Sequence, residues 1–225
     1  MLPDVHLKGG LDGVAMRLGT FYRCAVLDRL GIRPAGSAIL DVGAYDGYTL
    51  SRYSAALKVG LDLEPAEAGK LYTPLLCGDG KSPPFLPGAF DWVFALDVAE
   101  HEADDVALLG NLIKLLKPGG SLCLSVPSRG FTVFPSFITS LLHQSWGHLR
   151  PGYLPEELAS KMPSGVEVTF LTWNEPLFRL LYVPVRAIWS ISPLLGRWFL
   201  RGISHIDSMF TQGLSGHVFA IVTKK

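Results

Sequence analysis

Apolar positions follow two rhythms along the chain. Between Ala38 and Val126, short β-rich runs alternate with stretches of helical spacing. Strands are expected at Ala38 to Val42, Val59 to Leu63, Leu75 to Cys77, Asp91 to Leu96 and Ser121 to Val126. Helices are expected at Thr49 to Leu57 and Asp104 to Leu116, with Lys117-Pro118-Gly119-Gly120 turning into the fifth strand. Ahead of this series, Leu11 to Leu30 reads as an amphipathic helix stopped by Gly31 and Pro34. After it come a short helix at Pro155 to Lys161, an alternating strand at Val166 to Trp173, an apolar helical segment from Pro176 to about Ser204, and a last strand at His217 to Thr223. Continuous apolar strands separated by helices imply an α/β fold, a largely parallel sheet covered on both faces. Right-handed crossovers then carry the functional loops to the C-terminal strand ends.

Composition narrows this picture. With 225 residues, 48% hydrophobic and 18% charged, the chain suits one domain with a full core. Its 20 basic and 20 acidic side chains cancel, and no Lys/Arg cluster appears, so no nucleic-acid partner is expected. Charges and glycines interrupt the first residues, which therefore lack the apolar core of a signal peptide. Cys24, Cys77 and Cys123 are too far apart for a zinc knuckle and odd in number, so neither a metal site nor a disulfide framework is expected. Cys77 and Cys123 fall in apolar runs and read as buried, reduced thiols of a cytoplasmic protein.

The candidate chemistry begins at Ile39-Leu40-Asp41-Val42-Gly43-Ala44-Tyr45-Asp46-Gly47. A strand ends there in an acid, and glycines let the chain turn sharply into a helix whose first N–H groups can receive a ligand carboxylate. A second acid, Asp62, follows the second strand in Val-Gly-Leu-Asp-Leu-Glu-Pro, where it can accept both hydroxyls of a ribose. The third strand ends in Cys77-Gly78-Asp79-Gly80, whose carboxylate suits an exocyclic amine.

In order and spacing, Ala38 to Pro127 resembles the class I S-adenosylmethionine-dependent methyltransferases. The likeness is strongest to the type 11 methyltransferase-domain branch that includes ubiquinone and menaquinone biosynthesis enzymes. It is carried by the first-strand motif, GLDLEP, GDG, FDWVFALDVAEH and LLKPGGSLCLSVPS. The resemblance implies a Rossmann-like, seven-stranded, mostly parallel sheet with helices on both faces and a helical insertion before the last strand. It implies S-adenosylmethionine as cofactor and S-adenosylhomocysteine as product. By the same resemblance Asp41 and Gly43 hold the methionine part, with Ala44, Tyr45 and Gly47 in that loop. Asp62, with Leu63 beside it, takes the ribose, and Asp79 takes the adenine amine with the Gly80 backbone. Leu96 and Asp97 lie beside the sulfonium. Tyr45 is a departure, since a glycine usually stands there. A nicotinamide-binding domain fits less well, because it expects G-x-G-x-x-G without an acid just ahead of the first glycine.

Methyl transfer needs a base only where the acceptor arrives protonated. His101 in Ala-Glu-His and His148 in the long loop after the fifth strand are the candidate catalytic residues, with His143 nearby. His205 and His217 read as structural or exposed. The whole is read as one domain: a helical cap at 1–34, a cofactor core at 38–127, a loop and helix at 128–165, and an insertion at 175–205.

That insertion, PLFRLLYVPVRAIWSISPLLGRWFLR over 176–201, contains Arg179, Arg186, Arg197 and internal prolines, which argue against a membrane span. Three roles fit it: packing on the sheet or in a homodimer, a lid over a greasy acceptor pocket, or peripheral membrane contact. The expected partner is a small, apolar acceptor methylated on oxygen or carbon. The alternative is a catalytically silent adaptor or membrane-associated binding protein of the same fold.

Overall fold

The computed structural model describes residues 17–34, 36, 38–67, 70–129, 147–210 and 216–225. Seven strands form a single sheet: β1 (Ala38–Val42), β2 (Leu57–Asp62), β3 (Leu75–Cys77), β4 (Phe90–Leu96), β5 (Leu116–Pro127), β6 (Val166–Trp173) and β7 (His217–Lys224). Their order is β3-β2-β1-β4-β5-β7-β6, with β7 antiparallel to both neighbours and the other pairs parallel. The crossovers from β1 run towards β3 on one side and, through β4, towards β5 on the other. A crevice opens where this order reverses, at the C-terminal ends of β1 and β4.

The period-two alternation divides the sheet between two cores. Ala38, Leu40 and Val42 of β1, Leu122, Leu124 and Val126 of β5, and Val218, Ala220 and Val222 of β7 face one cluster. Ile39, Cys123 and Phe219, between them in sequence, face the other. The first cluster is closed by α3 (Asp105–Leu115) and by Leu158 of α4 (Pro155–Ser160). Asp104 starts α3 by accepting the Ala107 N–H at 2.9 Å, and the helix buries Leu108, Leu109, Leu112 and Leu115. The second cluster is closed by α1 (Leu18–Arg29) and by three helices of the insertion: α5 (Pro176–Leu180), α6 (Tyr182–Ile191) and α7 (Pro193–Asp207). Pro193 sits in the first turn of α7 and Ser192 caps it.

Local expectations differ from the structure in three places. The helix expected over Thr49 to Leu57 is a single turn, α2 (Tyr48–Ser51), because Leu57 is already pairing with Ala38 in the sheet. Lys117 to Gly120 is a bulge within β5 rather than a turn before it. Phe90 pairs with Leu116 and Trp92 with Ser121, so the intervening residues loop out, held by Lys117 Nζ on Asp91 at 2.9 Å. Cys77 is exposed, because β3 is the edge strand and leaves it uncovered.

Candidate active site

The C-terminal ends of β1, β2 and β4 open into a cleft of about 950 Å³. Of the residues singled out in sequence, Asp41, Gly43, Ala44, Tyr45, Asp62, Leu63, Gly80, Leu96, Asp97, His101 and His148 all line it. Gly47 and Asp79 do not. Gly47 turns the chain at φ +75° and its carbonyl accepts the Thr73 hydroxyl at 3.1 Å. Asp79 accepts the Lys81 N–H at 2.8 Å and its side chain is 39% exposed. His143 lies outside the described residues.

The loop after β1 needs its glycine. Gly43 sits at φ +76°, and a Cβ there would stand 2.6 Å from Val98 Cγ2. Asp41 is 3% exposed; burial, reinforced by Asp46 and Asp62, pushes its carboxyl well above the usual carboxylate range. Tyr45, at φ +47°, carries the Arg17 guanidinium 3.6 Å above its ring. Its backbone N–H donates to Asp62 Oδ2 at 2.8 Å, while Oδ1 of the same carboxylate accepts from Glu64 N–H at 2.8 Å. Each carboxylate oxygen has a second lone pair, so Asp62 keeps capacity for ligand hydroxyls.

Beyond β4 the chain turns through Asp97, whose φ of +55° is rare for a residue with a side chain. Its N–H reaches the Ser125 carbonyl at 3.0 Å, Ser125 Oγ donates to Oδ1 at 2.7 Å, and Arg23 Nε donates to Oδ2 at 2.8 Å. Burial opposes ionisation of Asp97, but Arg23 and His217 outweigh it and hold the carboxyl well below its usual range. The short turn Ala99–His101 follows. Tyr153 Oη donates to the Ala99 carbonyl at 3.0 Å, and Leu149 N–H to that of Glu100 at 2.9 Å. These bonds bring the segment holding His148 onto the turn, where the His101 and His148 rings stand 4.8 Å apart and perpendicular. Glu100 beneath them is fully buried, and among the described residues neither carboxylate oxygen has a hydrogen-bond partner. Burial, then the nearby Asp97, raises its carboxyl well above the usual range. Ligand atoms of Glu100, His101 and His148 all lie within 4.8 Å of one another.

Local motifs did not mark Arg23, Glu175 or His217 as parts of the other wall. Arg23 from α1, Glu175 and Arg179 at the start of the insertion, and His217 from β7 line the same cleft. His217, expected to be structural or exposed, is 5% exposed and reaches Glu175 at 2.9 Å and Asp97 at 3.2 Å. The partners lie 42 to 194 residues apart in sequence, and an arginine in a helix carries no local signal of such contacts.

Comparison with known proteins agrees with this geometry. Residues 40–124 match the profile of a family described as a methyltransferase domain. The demethylmenaquinone methyltransferase of Corynebacterium kroppenstedtii is 32% identical over 143 residues, 61% of this chain and 58% of that protein. A ubiquinone biosynthesis O-methyltransferase of Xanthomonas campestris is 35% identical over 80 residues, 33% of this chain and 34% of its own. The chain thus spans between about a third and three fifths of the curated relatives it matches. Among solved structures, an S-adenosylmethionine-dependent methyltransferase from Thermotoga maritima, described as a possible histamine N-methyltransferase, superposes with a TM-score of 0.61 at 16% identity, covering 92% of both chains. A phosphoethanolamine N-methyltransferase of Haemonchus contortus, solved with S-adenosylhomocysteine, gives 0.59 at 18% identity over 89% of this chain and 51% of that one. A [4+2]-cyclase gives 0.57 at 19% identity over 90% of this chain and 81% of its own, so the fold alone does not name a reaction. Over residues 40–124 the chain is thus similar to the methyltransferase-domain family, and its seven-stranded sheet has the Rossmann-like fold of the solved methyltransferases.

Proposed function

We propose that this chain transfers the methyl group of S-adenosylmethionine to a small, apolar acceptor, with a hydroxyl oxygen or an activated carbon as the receiving atom. One observation carries the reading. A single cleft gathers the acids that end β1 and β2 on one side of the β1 loop and, on the other, two histidines over a buried glutamate.

The residues fit the cofactor. The left-handed Gly43 lets the β1 loop turn tightly against Val98 and into the cleft, where Asp41 would hold the methionine part together with Ala44 and Tyr45. Asp62 would accept the ribose hydroxyls with Leu63 beside it, and Gly80 would back the adenine, with Asp79 nearby. Leu96 and Asp97 would flank the reacting group. When bound, the cofactor supplies a methyl on a sulfonium that is already an activated donor.

The protein's own contribution is then alignment and exclusion of water. Holding donor and acceptor in line can lower a barrier by roughly 7–11 kcal/mol. Phe178, Tyr182 and Trp189 from the insertion wall the cleft and suit an apolar acceptor. For a phenolic or alcoholic acceptor, His148 or His101 would take the hydroxyl proton onto its ring, beside the buried Glu100, whose carboxyl burial favours in the neutral form. The relatives named for menaquinone and ubiquinone biosynthesis support an acceptor of quinone-precursor character.

Calorimetric titration with S-adenosylmethionine and with NADH tests the cofactor. The expected result is micromolar binding of the former only, weakened at least about tenfold, or about 1.4 kcal/mol, by Asp62→Ala. A folded protein that binds neither would favour the second reading, a silent adaptor, which draws on Tyr45 standing in the first motif and on the backbone amides already bound to Asp62.

A further inference from the structure

We propose that the acceptor taken by this cleft is an amphipathic acid, an apolar ring-bearing body whose carboxylate pairs with Arg186. The inference deepens the methyltransferase reading and rests on it for the word acceptor. Tyr182, Arg186, Trp189 and Ser190 of α6 all line the cleft, and their spacing along the helix puts them on one face. Both rings on that face are held from behind. Phe178 stands edge-on to Tyr182 at 6.0 Å, and the Phe21 ring lies 5.8 Å from that of Trp189. Arg186 between them is different: among the described residues its guanidinium has no hydrogen bond, ion pair or ring contact. A charge that served only solubility belongs on the outer side of the helix. That side instead carries Ile191, which is 86% exposed and does not line the cleft.

Charge balance points to the ligand. Beyond β4 the cleft is lined by Asp97, Glu100, Glu102 and Glu175. Asp97 and Glu175 are matched by Arg23 and Arg179 at 2.8 to 3.1 Å, and Glu102 by Lys81 at 3.2 Å. Burial favours the neutral form of Glu100. Arg186 is left as the guanidinium on this side that no acid among the described residues offsets. One unmatched positive charge calls for a monoanion, and the planar fork of N–H donors matches a carboxylate. The flanking Tyr182 and Trp189 rings call for an apolar body beside that carboxylate. A phosphate dianion would bring a second charge that nothing on this wall matches.

Three fluorescent probes share one ring system and differ in charge: hydroxynaphthoate, its methyl ester and naphthol. Titrated against the full chain with S-adenosylhomocysteine present, hydroxynaphthoate should bind at least about tenfold more tightly than the other two, and added salt should shrink the difference. Arg186→Gln should abolish this preference and Arg186→Lys should keep part of it, with far-ultraviolet circular dichroism unchanged. Equal binding of the three probes, or binding of none, overturns the proposal, as does a preference that survives in Arg186→Gln. Inorganic phosphate that displaces hydroxynaphthoate at equal concentration would overturn it too, by assigning Arg186 to a bare anion. Calorimetry with S-adenosylmethionine on the same samples keeps the two readings apart. Charge preference without cofactor binding removes methyl transfer and leaves the acid site; cofactor binding without the preference does the reverse.

Discussion

Arg23 of α1 and Glu175, 152 residues later, meet as a buried ion pair, with Nη1 donating to Oε2 at 3.0 Å. Their side chains are 8% and 2% exposed. Around them Asp97, His217 and Arg179 complete a network that ties the N-terminal helix, the β4 turn, the insertion and β7 together behind the cleft. Desolvation makes such a pair a weak source of net stability, but it makes loss of one partner expensive.

Arg23→Ala and Glu175→Ala should therefore each destabilise the fold by about 3–5 kcal/mol. The double variant should lose less than the sum, because each single variant already forfeits the Arg23–Glu175 pair, although Asp97 and Arg179 each still lose a partner. Urea unfolding of the four proteins reads this directly. Additive losses would mean that the two residues act independently.

The same network dictates an acid response. Burial opposes ionisation of Glu175, but His217 and Arg23 outweigh it and hold the carboxyl well below the usual range. The unfolded chain, with a glutamate pKa of about 4.3, binds the proton more readily than the folded one. The stability this group contributes is thus present above that value and lost as pH falls below it. Unfolding free energy measured from pH 6 to pH 3 should fall less steeply in Glu175→Gln than in the parent. An identical slope in the two proteins would contradict the assignment.

Gly43→Ala should carry two separable penalties. The left-handed φ of +76° costs an alanine roughly 1–2 kcal/mol, and its Cβ would press on Val98 Cγ2 at 2.6 Å. Adding Val98→Ala should relieve the collision and leave the conformational cost. Thermal unfolding of the single and double variants, with S-adenosylmethionine titration beside it, tests both. Full recovery in the double variant would mean that the backbone carries no strain.

His148→Ala and His101→Ala should lower turnover of a hydroxylated acceptor by about 10²–10⁴-fold in whichever is the base, with cofactor affinity unchanged. Near-full turnover by both at saturating acceptor would remove the base. Proton transfer to an imidazole needs no cation, so EDTA should leave the rate unchanged. A rate lost to EDTA and restored by Mg²⁺ would reassign the cluster to metal binding.

Most of the strands were readable from short-range pattern, because each parallel strand is an apolar run bounded by a turn signal, whereas their order in the sheet comes from the structure. The gathering of Asp41, Gly43, Asp62 and Asp97 at the cleft was readable for the same reason: each sits at or just past the end of a strand, so one crevice must collect them. Boundaries failed where tertiary pairing overrode local preference. Leu57 was drawn into β2 by Ala38, and Lys117 to Gly120 bulged within β5 instead of ending it.

Sequence by itself determined the strands and the position of the cleft, since those depend on patterns within a few residues of each other, while the class of cofactor was implied by a family resemblance spread over Ala38 to Pro127. Tertiary structure alone decided that Arg23, Glu175 and His217 close the cleft, that His148 lies against His101 beside a buried Glu100 and that, among the described residues, Glu100 is unpaired and one side of α7 uncovered. The physical reason is range. A glycine turn or an apolar run acts on its own neighbours, whereas a buried ion pair between residues 152 positions apart exists only after the chain has folded around it.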